Sequence, residues 1–441
     1  MVVNYLRRKN FTLPLVFGLM FSVLYNILPM NYFGASIIGF LGLIIILYDI
    51  RWGIIAAVFV LPFLPDMLGL LFMYSLVGVY LFNNIFKEHN PITKSSIDMP
   101  IILFGILIVI STVTSINFMG SVRDLALHLG GLSFVFVMVN SIKNKEDFNV
   151  IMTVLVFSAT LVALYGLYQY VVGVEIEKAW LDVENNPDVK VRVFSVFNNP
   201  NILAEYLIML IPISVGLFWQ TTKLSKKILF LGTTLIMILA MVLTLSRGGW
   251  IGFAFSALVF ILLVEKRLLL SIVPITLGAV YLLPQTIINR ILSIGNLADS
   301  SNAYRIKIWE ITLDIIRDNF LIGVGFGHLP FKQTFESYIR TMPTFHAHNT
   351  YLQTAAEMGI IGLLVFLFFL FILFKYGINK LIKSEDKYIK IMAAGALSGL
   401  AGVLAHGGVE NVLYLPRIIM TFWFLVAFIL TLVRIKDKQE I

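Results

Sequence analysis

Long apolar segments separated by short polar ones recur along the whole chain. Many are close to the roughly 20 residues that a helix needs to cross a membrane. The pattern predicts fourteen spans, at 11–29, 32–48, 52–64, 67–86, 99–116, 124–140, 148–172, 199–219, 228–245, 249–264, 268–284, 349–374, 391–409 and 417–433. The third is short and interrupted by Pro62 and Pro65, so twelve crossings with a re-entrant hairpin at 52–86 is the alternative. We therefore expect an all-α, polytopic transmembrane helical bundle of 12–14 spans.

The composition agrees with a membrane protein. Of 441 residues, 59% are hydrophobic and 13% charged, with a mean hydropathy of +0.90. The absence of cysteine excludes disulfides, thiolate metal sites and a cysteine nucleophile. The net charge of +8 comes from short, scattered basic runs, which favours a role in membrane orientation over nucleic-acid binding. Arg7–Lys9 precede an apolar stretch without a small-residue cleavage site, so we expect a retained first span.

The distribution of basic residues predicts the orientation. With the N-terminus inside, 21 of the 33 Lys and Arg residues fall on the cytoplasmic side, as the positive-inside rule requires. Both termini are then cytoplasmic, and loops 173–198 and 285–348 lie outside. Three arginines stand beside spans on the outer side, where orientation gives no reason for them. These candidates for function are Arg123, Arg247 and Arg417.

Loop 285–348 carries most of the polar sequence. Its segment 304–319 has apolar residues at helical spacing, which predicts an amphipathic helix, and a glycine-rich turn follows at 323–327. The chain has no GxxxxGK[ST], no HExxH and no DxD-like acidic pair on these loops. We therefore do not expect ATP hydrolysis, and we expect any phosphate to be bound by arginine, whose planar guanidinium recognises phosphate without a metal.

Arg247 is followed by Gly248 and Gly249, between two spans. It is either an interfacial arginine that extends to the membrane surface beside a tight hairpin, or a ligand for a head group that the glycines admit close to the backbone. Arg305 begins the predicted amphipathic helix, where the helix dipole opposes a cation and favours an anionic partner. A solvated charge paired with Glu310 or Asp314 is the alternative.

His346 and His348 close the long loop and are two of only six histidines. A metal site is not expected from this pair, because no third ligand lies nearby in the sequence. An imidazole can act as a general base toward a sugar hydroxyl, or simply cap the next helix at the interface.

Asn199 and Asn201 flank Pro200 where another span begins, a normal N-cap arrangement. Glu205 lies about one turn inside the membrane, where a carboxylate is functional or pairs with Arg247 or Arg192. His406 and Glu410 are four residues apart and are expected to share a helix face.

These motifs, in this order, resemble the O-antigen ligase and O-antigen polymerase superfamily. The similarity covers roughly 195–375. The residues that carry it are Phe197, Asn199, Pro200, Asn201 and Ala204, then Ser246–Gly249, then Arg305 and Gly323–Gly327, and finally His346, His348, Asn349, Tyr351 and Gln353.

The resemblance implies a GT-C-like membrane glycosyltransferase in the bacterial cytoplasmic membrane, with its active site facing outward. It implies inverting transfer, without metal or cofactor, of a glycan from undecaprenyl diphosphate to an acceptor hydroxyl on a glycan, lipid or protein. Arg247 and Arg305 are then expected to bind the diphosphate and His348 to activate the acceptor, with His346 as the second candidate. Asn199, Asn201, Glu205, Gly248 and Gly249 are expected to line the substrate site. The implied division is 1–190 N-terminal helices, 191–376 core and 377–441 C-terminal helices.

Two alternatives stay open at this stage. Ligase and polymerase share these motifs, so the sequence does not decide the acceptor. A secondary transporter with Glu205, His406 and Glu410 as a relay is the competing class, although no internal repeat is visible and the polar residues gather at predicted outer ends of spans.

Overall fold

The computed structural model describes residues 17–86, 98–175, 189, 191–295, 300–342 and 344–439. Within these ranges the chain is helical and contains no strand. The α-helices are α1 Phe17–Ile27, α2 Met30–Tyr48, α3 Ile50–Val60, α4 Asp66–Phe86, α5 Asp98–Val113, α6 Phe118–Ser141, α7 Lys145–Val172, α8 Pro200–Gln220, α9 Leu224–Leu243, α10 Arg247–Val264, α11 Leu269–Leu282, α12 Gln285–Leu292, α13 Ser300–Asp318, α14 His328–Tyr338, α15 Thr350–Gly377, α16 Lys387–His406 and α17 Pro416–Asp437.

A helix lies at each of the fourteen predicted spans, and the first is seen only over its described part, since 11–16 fall outside. Nine of the described helices are long and apolar enough to cross a membrane, namely α4, α6 to α10 and α15 to α17. The all-α, polytopic architecture is therefore confirmed. The number of crossings, the orientation and the division at 190 and 376 stay predictions.

The chain forms two compact units, Met1–Gly53 and Ile54–Ile441. In the described part of the first unit, α1 contacts α2 through aromatic rings. The ring centroids of Phe17 and Phe40 lie 4.7 Å apart, and those of Tyr25 and Phe33 lie 5.2 Å apart.

The second unit is built around α17, which is buried along its apolar length. Trp423 of this helix fills the space beside Gly131 of α6, where a Cβ atom would collide with the indole. Beside it, α16 approaches α8 and α10 closely. Gly399 lies against the carbonyl of Met209, and Gly402 against that of Gly252. Small residues permit such close contact between membrane helices.

The predicted amphipathic helix is present as α13. Its Ile308, Ile311 and Ile315 are buried against Phe331 and Phe335 of α14. The helix begins at Ser300, five residues before Arg305, so the prediction that Arg305 starts the helix was wrong. The helix dipole therefore acts less strongly on this arginine than expected, because the effect is concentrated in the first turn.

The glycine-rich turn joins the loop to a break in α15. Gly359 has φ 67° and ψ −175°, a conformation that interrupts the helix. The Ile360 amide donates to the Phe320 carbonyl over 2.8 Å, and the Val324 amide donates to that of Ala356 over 2.9 Å.

Gly323, Gly325 and Gly327 all have positive φ values, which explains the glycines at these positions.

Candidate functional site

The site is centred on a pair of residues from two loops, His348 and Glu410. His348 Nδ1 lies 2.6 Å from Glu410 Oε1. The start of α15 is fixed against the turn after α16, since the Asn349 amide group donates to the Gly408 carbonyl over 2.9 Å and the Thr350 amide donates to that of Gly407 over 2.8 Å. The two helix ends thus hold the imidazole and the carboxylate together.

Glu410 is buried and charged. Burial alone acts to raise its pKa, but His348, His346 and Arg305 hold the pKa of this carboxyl well below its usual range. Arg305 Nη2 lies 3.5 Å from Glu410 Oε2, so each carboxylate oxygen faces a different cationic or imidazole group. The prediction that His406 and Glu410 share a helix face was wrong, because α16 ends at His406.

His346 lies beside this pair but in a different environment. Its ring centroid is 4.2 Å from that of His348, and its Nδ1 accepts a hydrogen bond from the His348 amide over 3.2 Å. Burial, then the neighbouring charge of His348, lowers the pKa of His346 to about 3. The His346 imidazole is therefore neutral and weakly basic at neutral pH, whereas His348 is held by a carboxylate and is more exposed.

Four arginines lie close to one another, and one of them, Arg305, contacts Glu410. They are Arg192, Arg247, Arg290 and Arg305. Burial, together with the neighbouring charges of Arg290, Arg247 and Arg305, lowers the pKa of Arg192 to about 9. Such a concentration of guanidinium groups favours a polyanionic ligand.

Main-chain contacts hold three of these arginines in place. Arg192 Nε donates to the Thr244 carbonyl over 2.9 Å, and Arg290 Nε donates to that of Leu245 over 3.2 Å. Arg247, the first residue of α10, donates from Nη1 to the Ser293 carbonyl over 3.1 Å. The segment 244–247 therefore binds Arg192 and Arg290 through its carbonyl groups and contributes Arg247 itself.

Sequence reasoning did not select Arg192 or Arg290 as ligands. Both fall in the predicted long outer loops, where basic residues carry little information about orientation and were therefore set aside. Arg192 lies eight residues before Pro200, and that proximity to a selected motif was the one available signal.

Asn201 connects the arginines to the pair. Its Oδ1 accepts from Arg192 Nη2 over 3.3 Å, and its Nδ2 donates to Glu410 Oε2 over 3.5 Å. Asn199 caps α8, because its side chain accepts from the Asn201 amide over 2.8 Å. Asn199 therefore orients the start of α8, while Asn201 faces the site.

Glu205 has a different partner from the one expected. Its Oε1 lies 3.5 Å from His406 Nε2, and both side chains are buried. The predicted pairing with Arg247 or Arg192 is absent from the contacts of the described residues. His406 also packs against Gly248, where a Cβ atom would meet the imidazole, and Gly249 lies against Ala204. Close packing thus accounts for both glycines, and their part in a substrate site stays a prediction.

A third candidate metal ligand joins the two histidines. Ligand atoms of His346, His348 and Glu410 all lie within 4.8 Å of one another. The sequence argument against a metal was therefore incomplete, because the fold supplies a ligand from 62 residues away. The hydrogen bonds at both Nδ1 atoms and the cation of Arg305 compete with a metal ion for this position.

The architecture and the site define a polytopic membrane protein with an arginine cluster and an imidazole–carboxylate pair. Residues 232–367 match the sequence model of the O-antigen ligase family, so this part of the chain is similar to that family. The exopolysaccharide production protein ExoQ of Rhizobium meliloti is 29% identical over 114 residues. The similar region covers 24% of this chain and 26% of ExoQ.

Proposed function

We propose that this protein transfers a glycan from undecaprenyl diphosphate to an acceptor hydroxyl on the outer face of the cytoplasmic membrane. One observation carries the proposal: the His348–Glu410 pair lies directly beside the arginine cluster, through the contact of Arg305 with Glu410. A base for a hydroxyl and a binding site for a diphosphate are the two groups that this reaction needs.

The acceptor is activated by His348. With Nδ1 held by Glu410, the Nε2 atom is the position that accepts the proton as the hydroxyl attacks the anomeric carbon. Glu410 orients the ring and stabilises the imidazolium that forms. The new glycosidic bond forms as the bond to the diphosphate breaks, and attack from the opposite side inverts the anomeric configuration.

The leaving group is stabilised by arginine. Negative charge builds on the diphosphate as its bond to the sugar breaks, so Arg247 and Arg305 stabilise the transition state more than the ground state. The helices α8, α10 and α15 begin around this site, and the partial positive charge of their N-termini adds to the same effect. We propose that no metal ion is needed.

A deletion strain tests the function. Loss of the transferase should leave undecaprenyl-linked glycan on the outer face of the membrane, where externally added glycan-modifying enzymes reach it. A flippase defect would leave the same lipid inside. An unchanged pool of lipid-linked glycan would refute the proposal and favour the transporter with Glu205, His406 and Glu410 as a relay.

A further inference from the structure

The two histidines of the proposed site stand on either side of Ala347, whose amide is bound by a side chain of α15. Ala347 is fully buried, and its amide donates to Gln353 Oε1 over 2.6 Å. A buried main-chain N–H that lost its acceptor would be costly, because water cannot replace the missing partner. The contact therefore holds the loop of the two histidines against the first turns of α15.

The loop needs such support because its backbone bends sharply at His348. This residue has φ 47°, in the left-handed region that L side chains rarely adopt. Such a conformation persists only where the surrounding contacts hold it. Thr344 Oγ1 donates to the His346 carbonyl over 2.9 Å and binds the loop on one side. The Gln353 contact binds it in the middle, between the two imidazoles.

Glu357 fixes the orientation of the Gln353 amide group. Gln353 Nε2 donates to Glu357 Oε1 over 2.7 Å, and the two residues are four positions apart on one face of α15. A glutamine side chain carries an acceptor at one end of its amide and donors at the other, so this contact turns Oε1 toward Ala347. A flipped amide would set Nε2 against the Ala347 N–H, and two donors would face each other.

Glu357 is itself held from two sides. Its carbonyl accepts from Ser111 Oγ over 2.9 Å and from the Gly325 amide over 3.1 Å. Gln353 is 2% exposed and Glu357 is 8% exposed, so water is not a ready alternative partner for either side chain. The contacts therefore run from a fixed point on α15, through Gln353, to the backbone that carries both imidazoles.

We propose that Gln353 and Glu357 are positioning residues for the general base. They bind the Ala347 amide so that His348 presents Nδ1 to Glu410 and leaves Nε2 for the acceptor hydroxyl. This inference rests on the proposed function, which gives His348 its role as a base. One hydrogen atom reports the arrangement, because the neutral imidazole that donates from Nδ1 to the carboxylate carries its hydrogen on Nδ1. A histidine surrounded by water prefers to carry it on Nε2.

Nitrogen NMR of the histidine rings tests the positioning without a substrate. Full-length protein with 15N-labelled histidine is measured in lipid nanodiscs at alkaline pH, and the His348 signals are identified by their loss in His348→Gln. In the wild type we expect a protonated Nδ1 and an unprotonated Nε2. Gln353→Met fills a similar volume but lacks the amide, so in most molecules the hydrogen should move to Nε2. Gln333→Met is the matched control, because Gln333 is exposed on α14.

An exchange of the two side chains distinguishes positioning from packing. Gln353→Glu alone sets two carboxyl groups against each other and should lose the form protonated at Nδ1. Addition of Glu357→Gln again places a donor opposite an acceptor, and the new carboxylate at 353 accepts from the Ala347 amide, so that form should return. Glu357→Gln alone keeps an acceptor oxygen for Gln353 and should resemble the wild type.

An unchanged His348 signal in folded Gln353→Met would overturn the inference. A folded exchange variant that keeps the signal of Gln353→Glu would also overturn it. If Gln353→Met does not fold, an unchanged signal in Gln353→Glu has the same meaning.

Complementation of the deletion strain separates this inference from the proposed function. A displacement of about 1 Å at the reacting atoms can cost roughly 10²-fold, so Gln353→Met should consume lipid-linked glycan at least about tenfold more slowly than the wild type. An unchanged lipid pool in the deletion strain itself refutes the transferase, whatever the NMR spectra show. Normal complementation by Gln353→Met leaves the transferase in place and removes the positioning role.

Discussion

The Nδ1 atom of His348 lies 2.6 Å from a carboxylate oxygen of Glu410, a residue 62 positions later in the chain. The pairing leaves Nε2 as the atom for proton transfer and gives the imidazolium a counter-charge. It also brings His348, the proposed base, close to the arginine cluster, because Glu410 contacts Arg305 as well.

The first prediction concerns this pair. His348→Ala should lower turnover by about 10²–10⁴-fold, the usual contribution of a general base. Glu410→Gln should also lower it, because the imidazolium that forms on His348 loses its counter-charge. Turnover is measured with purified protein and lipid-linked donor.

His346→Ala is the comparison for the same assay. It should be milder, since the low pKa of His346 makes this imidazole a weak base. If His346→Ala had no turnover and His348→Ala had nearly normal turnover, His346 would be the general base instead of His348. If both variants kept full turnover, neither histidine would be the general base.

The second prediction concerns the arginines. Arg247→Ala and Arg305→Ala should abolish transfer while the protein still inserts, and lysine should restore little, because a point charge does not reproduce a bidentate guanidinium. Arg317→Ala is a matched control, since this exposed arginine lies on the same helix as Arg305. An alanine variant with full activity would remove that arginine from the diphosphate site.

The third prediction concerns metal. Transfer should continue in EDTA, because arginines supply the positive charge at the leaving group. The assay compares rates before and after chelation. Loss of activity that Mn²⁺, Mg²⁺ or Zn²⁺ restores would instead make His346, His348 and Glu410 a metal site.

The fourth prediction concerns orientation. A single cysteine at Gln333, an exposed position on α14, should react with a membrane-impermeant maleimide in intact cells. The chain has no cysteine of its own, so the label reports this position alone. A cysteine at Lys383 should react only after lysis, and the reverse result would invert the topology.

The fifth prediction concerns pH and stability. The pKa of His346 is about 3 in the folded protein, below its unfolded value, so the unfolded state binds more protons between pH 6.5 and 3. Stability should therefore fall on acidification. Between pH 7 and 5 this residue contributes a loss of about 2 kcal/mol. Thermal unfolding of wild type and His346→Asn should show a smaller acid-induced decrease in the variant, and parallel curves would contradict the assignment.

Local patterns predicted much of the architecture. Each span has its own apolar run, so the positions of α8, α10 and α15 follow from nearby residues alone. The same holds for the caps: Asn199 and Asn349 stand directly before the helices that they cap. The candidate residues His348, Arg247 and Arg305 came from motifs.

Long-range contacts could not be predicted in this way. Glu410 contacts Asn201 from 209 positions away, and no local pattern distinguishes it from the other acidic residues near predicted span ends. Arg290 lies next to Leu245 only because the fold brings them together. Packing also changed one interpretation, since His406 takes the place expected for an arginine at Glu205.

The break in α15 at Gly359 bears on how substrates reach the site. Main-chain hydrogen bonds fasten 320–325 to both sides of the break, so this part of the long loop is tied into the membrane bundle. A lid movement of this segment would have to break several main-chain hydrogen bonds at once. The lipid-linked donor of the proposed function would therefore reach the site sideways from the bilayer, with 320–325 as a stationary wall.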